Sequence, residues 1–448
     1  RLPWLNASQE QAVRDVLRAK DVLIVHGPPG TGKTTTLVEA ISEVLRREPQ
    51  VMVCAQSNTA VDWICQQLSD RGIAVLRIGN PSRVTETMLA NTYEHRFESH
   101  PDYPDLWQIR RSIRQLYSQP RKARGENFHQ KIARLRERAD EIEMRIRHTL
   151  FDQSRVIACT LTGAANQLLV GQHYHTLFID EAAQALEAAC WIPLQRVDRV
   201  ILAGDHQQLP PTIKSPEAMR AGLGRTLMEQ VAQRKPEVVR LLRVQYRMNE
   251  ALMRFSSEWF YHGLLEAAPE VRHRSLLDDV DDPLVWIDTP TEAAEQFVGS
   301  SYGRINKTEA SLTLQALHHY VERIGRHRLI AERVDFAIIS PYRAQVQYLR
   351  NLVRHDEMLR PLRKQITVNT VDAFQGQERD VVMVSLVRSN EQGQIGFLSD
   401  LRRMNVAITR ARFKLIILGS KDTLCQHKFY KKLFDRCKQV SFDSSCIQ

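Results

Sequence analysis

The stretch Gly27-Pro28-Pro29-Gly30-Thr31-Gly32-Lys33-Thr34, followed by Thr35, gathers backbone N–H groups, one ammonium and several hydroxyls into a few positions. That combination suits phosphate. Glycines let the backbone curl so that its N–H groups converge on phosphate oxygens, and a following helix adds its positive end. Lys33 is expected to reach the β- and γ-phosphates of ATP as a point charge, and the Thr34 hydroxyl to ligate Mg²⁺. The flanks agree. Val22 to Val25 read as a short buried strand, and Leu37, Val38, Ile41, Val44 and Leu45 repeat with helical period. Every fixed position of G-x-x-x-x-G-K-[ST] is met in this strand–loop–helix context, against the alternative of a chance glycine-rich turn.

A phosphate loop that turns over nucleotide also needs acids and charge stabilisers. Leu177-Phe178-Ile179 runs into Asp180-Glu181. Asp180 is expected to hold the Mg²⁺ that Thr34 also faces, and Glu181 to orient or deprotonate the attacking water. Two acids opening a helix also serve as plain dipole partners, so the pair takes its meaning from the loop. Gln208, in Gly204-Asp205-His206-Gln207-Gln208-Leu209-Pro210-Pro211-Thr212, is neutral. It can sense a γ-phosphate without competing for metal; the alternative is a solvated loop glutamine. Arg247 and Arg410 are of the type that stabilises transition-state charge, though taken singly each reads first as a surface or ion-paired arginine. Gln9 offers both a donor and an acceptor, as an adenine edge requires; a solvent-facing helix glutamine is the alternative. Asn58 and Thr59 follow the strand Val51 to Ala55 and suit a sugar-phosphate backbone or, equally, a helix cap.

These side chains demand a particular scaffold. Apolar runs at Val22, Val51, Val156, Leu177 and Val200, each followed by polar residues, predict an open α/β sheet with its ligand edge at the strand ends. Ser8 is a candidate N-cap for a helix that turns Ala12, Val13, Val16 and Leu17 inward. From Pro81 to Leu150 the character changes. Residues 105–150 hold twelve Lys/Arg against six Asp/Glu, and Phe128, Ile132, Leu135, Ala139, Ile142 and Ile146 step by fours and threes. With Ile109, Ile113, Leu116 and Tyr117, separated from them by Pro120 to Gly125, they predict two long antiparallel helices. The charge is either a solvated face or a wall of a nucleic-acid channel. A first lobe is expected to end near Lys235-Pro236. Strands at Leu284 to Ile287, Phe336 to Ile339, Ile366 to Val368, Val381 to Leu386 and Leu415 to Leu418 then predict a second, and the polar residues from Asp288 to Arg304 read as a loop.

The totals are compatible with this scheme. A chain of 448 residues holds two to four domains. With 43% hydrophobic and 25% charged residues it reads as globular. No apolar run approaches the ~18 residues of a membrane span, so no membrane partner is expected. Seven scattered cysteines form no C-x₂-C pair, which disfavours zinc and disulfide frameworks and favours a reducing, intracellular setting, cytoplasmic or nuclear. A net charge of +10 suits a polyanionic partner. No secretory signal is seen, and because the chain opens on Arg1 the natural N-terminus is expected upstream.

Taken in order, these stretches resemble the superfamily 1 helicases of the group containing the nonsense-mediated-decay RNA helicase and the immunoglobulin mu-binding protein helicase, the second more closely. The resemblance is carried by Leu5 to Gln9, the phosphate loop, Ser57 to Asp62, Asp180 to Glu187, Gly204 to Pro211, Gln245 to Met248, Ser340-Pro341-Tyr342, Val371 to Glu378, and Gly396-Phe397-Leu398 through Asn405 to Arg412. It implies an α/β fold of two RecA-like domains with parallel sheets in tandem and an inserted helical stalk. The first domain would comprise 1–80 and 151–237, the stalk 81–150 and the second domain 238–448. It implies ATP between the lobes, with Gln9 at the adenine, Tyr246 stacked on it, Glu378 near the ribose, and Gln208, Arg247 and Arg410 at the γ-phosphate. It implies movement 5′ to 3′ on single-stranded DNA or RNA, with Asn58, Thr59, Thr160, Thr162, Pro341 and Thr370 along the strand, in a monomer. The family's Ala-Pro-Ser-Asn is Ala55-Gln56-Ser57-Asn58 here, and its β-barrel accessory domain would precede Leu5. The alternative reading is an ATP-gated single-strand clamp that separates no duplex. A motor joined to a nuclease would need a cysteine cluster or a nuclease set of acids, and neither is apparent.

Overall fold

The computed structural model describes residues 2–120, 127–277, 281–290, 294–299 and 303–441. Two compact units divide the chain. The first is Arg1–His26, Lys33–Asp205 and Pro210–Leu241; the second is Gly27–Gly32, His206–Leu209 and Leu242–Gln448.

Seven strands build the first unit: β1 (Val22–His26), β2 (Val51–Ala55), β3 (Val75–Arg77), β4 (Val156–Thr160), β5 (Tyr174–Asp180), β6 (Val197–Gly204) and β7 (Val239–Leu241). They pair in parallel in the order β3-β4-β2-β5-β6-β1-β7. All five residues of β2 are buried, as in a parallel sheet covered on both faces. His26 lies opposite Gly204, Ala55 opposite Asp180, and Ile179 opposite Leu202. β1, β2, β5 and β6 therefore finish together, and the chain leaves all four at one edge. That is where an open parallel sheet binds ligands.

Helix α1 (Ala7–Arg18) buries Ala12, Val13 and Val16 as expected, but its cap is Asn6, not Ser8. The Asn6 side chain accepts from the Gln9 N–H while the Gln9 side chain accepts from the Asn6 N–H, each at 3.0 Å. This reciprocal box satisfies two end donors at once, which a cap at Ser8, two residues later and next to Gln9, could not do with Gln9. Helix α2 (Lys33–Val44) buries Leu37, Val38, Ala40, Ile41 and Val44, and helix α3 (Asn58–Asp70) is capped by Ser57.

Two antiparallel helices lie between β3 and β4, α5 (Tyr103–Ser118) and α6 (Phe128–Gln153), preceded by two 3₁₀ turns and α4 (Tyr93–Glu98), which the sequence did not distinguish. Arg145 pairs with Asp102 at 2.8 Å and Arg110 with Glu143 at 2.6 Å, fixing the opposed directions. The break expected at Pro120 to Gly125 lies, after Pro120, outside the described residues, as does Cys446. The seam is buried at Phe128, Ile132, Ala139, Ile142 and Ile146 and half-buried at Leu135. From Ala139 onward it joins the core of the first unit with Leu150 and Phe151. Arg134, Arg136 and Arg138 are exposed.

The second unit opens with a short pair, β8 (Val244–Gln245) and β9 (Glu266–Ala267). Its main sheet uses β10 (Leu284–Asp288), and a separate hairpin is made of β11 (Gln296–Val298) and β12 (Gly303–Ile305). The sheet continues with β13 (Phe336–Ile339), β14 (Ile366–Asn369), β15 (Arg379–Ser385), β16 (Ala411–Gly419) and β17 (Lys438–Val440), all parallel in the order β14-β13-β15-β16-β10-β17. The hairpin corrects the reading of 288–304 as a loop. Its strands are three residues long and β11 is exposed throughout, so no buried face imposes an alternation to detect. No described helix is long and apolar enough to cross a membrane.

Candidate functional site: the phosphate loop and its partners

β1 ends on His26, and the loop that follows turns at Gly30 and Gly32, whose φ values are +75° and +73°. Only glycine adopts this left-handed region without cost. Space adds to the demand at Gly30, where a Cβ would lie 2.7 Å from the Cβ of Arg247. Thr31 donates its hydroxyl to the Pro28 carbonyl at 2.7 Å and closes the turn. Lys33 and Thr34 open α2 and Thr35, in its first turn, is exposed. Below the loop, His26 Nε2 and Asp205 Oδ1 meet at 2.8 Å, both buried. That pair joins the ends of β1 and β6; residues 179 apart in sequence carry no signal of it.

Lys33, Asp180 and Glu181 come together. Lys33 Nζ donates to Asp180 Oδ1 at 2.6 Å and to Glu181 Oε1 at 2.8 Å. Burial works to lower the Lys33 pKa, but the two carboxylates outweigh it and hold the lysine above its ordinary value. Asp180 is buried at the end of β5, and its Oδ1 also accepts the Glu181 N–H at 2.8 Å. Glu181 sits at φ 50°, ψ 40°, a left-handed conformation costly for a side-chain-bearing residue, and precedes a 3₁₀ turn at Ala182–Gln184 rather than opening an α-helix directly. That bend lets consecutive carboxylates share one ammonium.

The described residues contain no group of three or more His, Cys, Asp or Glu placed to hold a metal. A hard divalent cation bound through one carboxylate, one hydroxyl and substrate phosphates needs no such cage. Asp180 at the strand end and Thr34 at the helix start fit that donor set.

A second constellation lies in the second unit. The buried Gln245 side chain folds its own loop: Oε1 accepts from the Arg247 and Met248 N–H groups at 2.9 and 2.7 Å, and Nε2 donates to the Met248 carbonyl at 2.7 Å. Thus held, Arg247 donates through Nε to Glu378 Oε2 at 2.8 Å and through Nη1 to the Thr409 carbonyl at 3.0 Å. Burial pulls the Arg247 pKa below its usual value, with Glu378 opposing. The Tyr246 N–H donates to the Gly30 carbonyl at 2.8 Å, and its side chain is exposed. Arg410 is 1% exposed, which overturns the expectation of a surface arginine. It donates to the carbonyls of Val406 and Gln377 and, at 3.4 Å, to Gln208 Oε1.

Other expected residues are placed differently. Gln9 is 5% exposed, which rules out the solvent-facing alternative and leaves its Oε1 engaged in the helix cap. Asn58 Oδ1 accepts from Arg77 Nη2 at 2.8 Å. Arg77 is itself fully buried and paired with Asp62 at 2.8 Å, so Asn58 belongs to an internal network. Thr59 and Thr162 are exposed, and Thr160 Oγ1 accepts the Gly163 N–H. Pro341 and Thr370 follow β13 and β14 at their C-terminal ends, both half-buried. A cleft of about 650 Å³ lined by Trp4, Glu39, Arg71 and Arg155 lies by the opposite end of α2 and contains none of these residues.

Fold and site define a phosphate-loop protein with two tandem RecA-like α/β domains. Residues 4–216 and 223–422 each match a family described as an AAA domain. The DNA-binding protein SMUBP-2 of Rattus norvegicus is 37% identical over 96% of this chain, which spans 44% of that protein. An uncharacterized ATP-dependent helicase of Methanocaldococcus jannaschii is 33% identical over 97% of this chain and 71% of its own length. The DNA polymerase alpha-associated DNA helicase A of Saccharomyces cerevisiae is 35% identical over 98% and 68%. The chain belongs to the superfamily 1 helicases, in the group of the nonsense-mediated-decay helicase. Among solved structures, an arterivirus nonstructural protein 10 helicase bound to DNA aligns with a TM-score of 0.43 and 15% identity, over 93% of this chain and 65% of that one.

Proposed function

We propose that this chain is an ATP-driven motor that moves 5′ to 3′ on single-stranded DNA or RNA. The observation that carries the reading is the Lys33–Asp180–Glu181 cluster at the end of β5, beside a loop whose glycines adopt left-handed turns. Lys33 and the loop N–H groups bind the phosphates of ATP, and Thr34 and Asp180 hold Mg²⁺. When bound, Mg²⁺ neutralises phosphate charge. Lys33 then exchanges carboxylate for phosphate as its partner, which frees Glu181 to accept a hydrogen bond from water. Arg247 and Arg410, backed by Gln208, supply positive charge to the γ-phosphate; their desolvation strengthens that effect. Gln9 and Tyr246 flank the adenine and Glu378 the ribose. Asn58, Thr59, Thr160, Thr162, Pro341 and Thr370 line the strand.

Duplexes with a single-stranded tail at either the 5′ or the 3′ end test polarity and strand separation together. ATP should drive displacement from the 5′-tailed duplex alone. Displacement from the 3′-tailed duplex only would overturn the polarity, and ATP turnover without any displacement would favour a clamp.

A further inference from the structure

The hairpin β11–β12 belongs to none of the stretches that carry the family resemblance, yet it presents an organised aromatic surface. Phe297 is 67% exposed. The Arg304 guanidinium lies over its ring, 4.1 Å from the centroid. Arg304 is held in turn by an ion pair with Glu295. The Glu295 side chain is 7% exposed and acts as a hub: it also accepts from Arg388 Nε at 2.8 Å and from the Ser389 N–H at 2.9 Å.

From Arg388 the contacts run on. A Cβ on Gly396 would collide with Arg388 Nη1 and meet the Tyr342 hydroxyl at 3.4 Å, so both side chains pack on a bare backbone. Tyr342 stands 5.8 Å, centroid to centroid, from Phe397, which is 55% exposed. A continuous chain of contacts thus joins Phe297, Arg304, Glu295, Arg388, Tyr342 and Phe397 within the second unit. It contains Tyr342, the neighbour of Pro341, which the proposed function puts on the strand.

We propose that Phe297, backed by Arg304, is a base-stacking platform for single-stranded nucleic acid. The inference rests on the motor reading above and adds a contact to it. An arginine pinned over one face of the ring fixes the ring, leaving less side-chain freedom to lose when a base stacks on the other face. Aromatic faces accept any base, which suits a motor that must step along every sequence. Arg304 and Arg388 together outnumber the one Glu295 carboxylate they share, and the net positive charge favours a polyanion over an apolar peptide.

The test is titration of a labelled thymidine oligonucleotide with the full chain and with Phe297→Ala, Phe297→Leu and Phe297→Trp. The side chain is exposed, so all three should fold, as circular dichroism will check. Phe297→Ala should weaken binding by about 5- to 150-fold, the range for loss of one stacked base. Phe297→Leu should fall with it and Phe297→Trp should restore wild-type affinity. The slope of affinity against salt should stay constant across the series, because no phosphate contact is lost. An oligonucleotide of abasic sites should bind the wild type and Phe297→Ala equally. Wild-type affinity in Phe297→Ala, or full affinity in Phe297→Leu, would overturn the platform while leaving the motor standing. No strand binding by the wild-type chain would overturn both.

Discussion

In the proposed function, the two acidic partners of Lys33 stand in for the phosphate it would bind. An ammonium with carboxylates at 2.6 and 2.8 Å keeps its charge despite burial, and exchange of those bonds for phosphate oxygens conserves charge pairing on both sides. The proposed function gives Glu181 a separate duty, since a carboxylate can take a proton from water whereas an amide cannot. Glu181→Gln keeps the size and the acceptor toward Lys33. It should bind ATP within a few-fold of wild type and hydrolyse it on the order of 100-fold more slowly or worse, the usual contribution of a general base. Nucleotide affinity by titration and turnover by phosphate release check this; near-wild-type turnover would remove Glu181 from the chemistry. The residue types at this site were legible because glycine, lysine and paired acids stand at fixed spacing around a strand. Their partners were less so. The pairing of His26 with Asp205, and the use of Asn58 by the buried Arg77, depend on which strands and helices become neighbours.

Strands of β-branched residues and the helical seam of α6 were legible for a physical reason: burial imposes a period on sequence. Elements that bury little, or that are only two or three residues long, leave no period, and β3, β7, β8, β9, β11, β12 and β17 carry no signal in the sequence accordingly. Glu309 was missed for the opposite reason. It lies in the helix Lys307–Ile324, fully buried, where an acid reads as a surface residue. Its Oε1 accepts from Ser385 Oγ at 2.6 Å and the Val387 N–H at 2.7 Å, and Thr289 Oγ1 donates to its Oε2 at 3.2 Å. These bonds tie the helix to the end of β15, where Val387 is held at φ 71°. Burial, partly offset by those donors, pushes the Glu309 pKa up to about 7. A carboxyl that binds its proton more tightly when folded favours the folded state at low pH. Its contribution shrinks as pH rises from the unfolded value near 4.5 and is gone above about 7. The denaturant stability of the second unit should therefore drop by about 2 to 3 kcal/mol between pH 5 and pH 8. In Glu309→Gln most of that dependence should vanish. Equal pH profiles for the two proteins would show that Glu309 does not titrate in this window.

At the scale of the molecule, the residues proposed for ATP chemistry belong to both units: Lys33, Asp180 and Glu181 to the first, Gln208, Arg247 and Arg410 to the second. On those proposed roles, turnover draws on residues of both units, and a strand bound to both is expected to accelerate it. It does so only by its preference for the reactive arrangement over others, and linkage requires that nucleotide alter strand affinity in return. This coupling is the central claim, and the most direct test is the rate of ATP hydrolysis with and without single-stranded DNA or RNA at one fixed, low salt concentration. Saturating strand should raise the rate at least about tenfold, corresponding to about 1.4 kcal/mol of activation free energy, and the gain should disappear in Arg410→Ala. A rate that is the same with and without strand, and little changed in Arg410→Ala, would contradict the account.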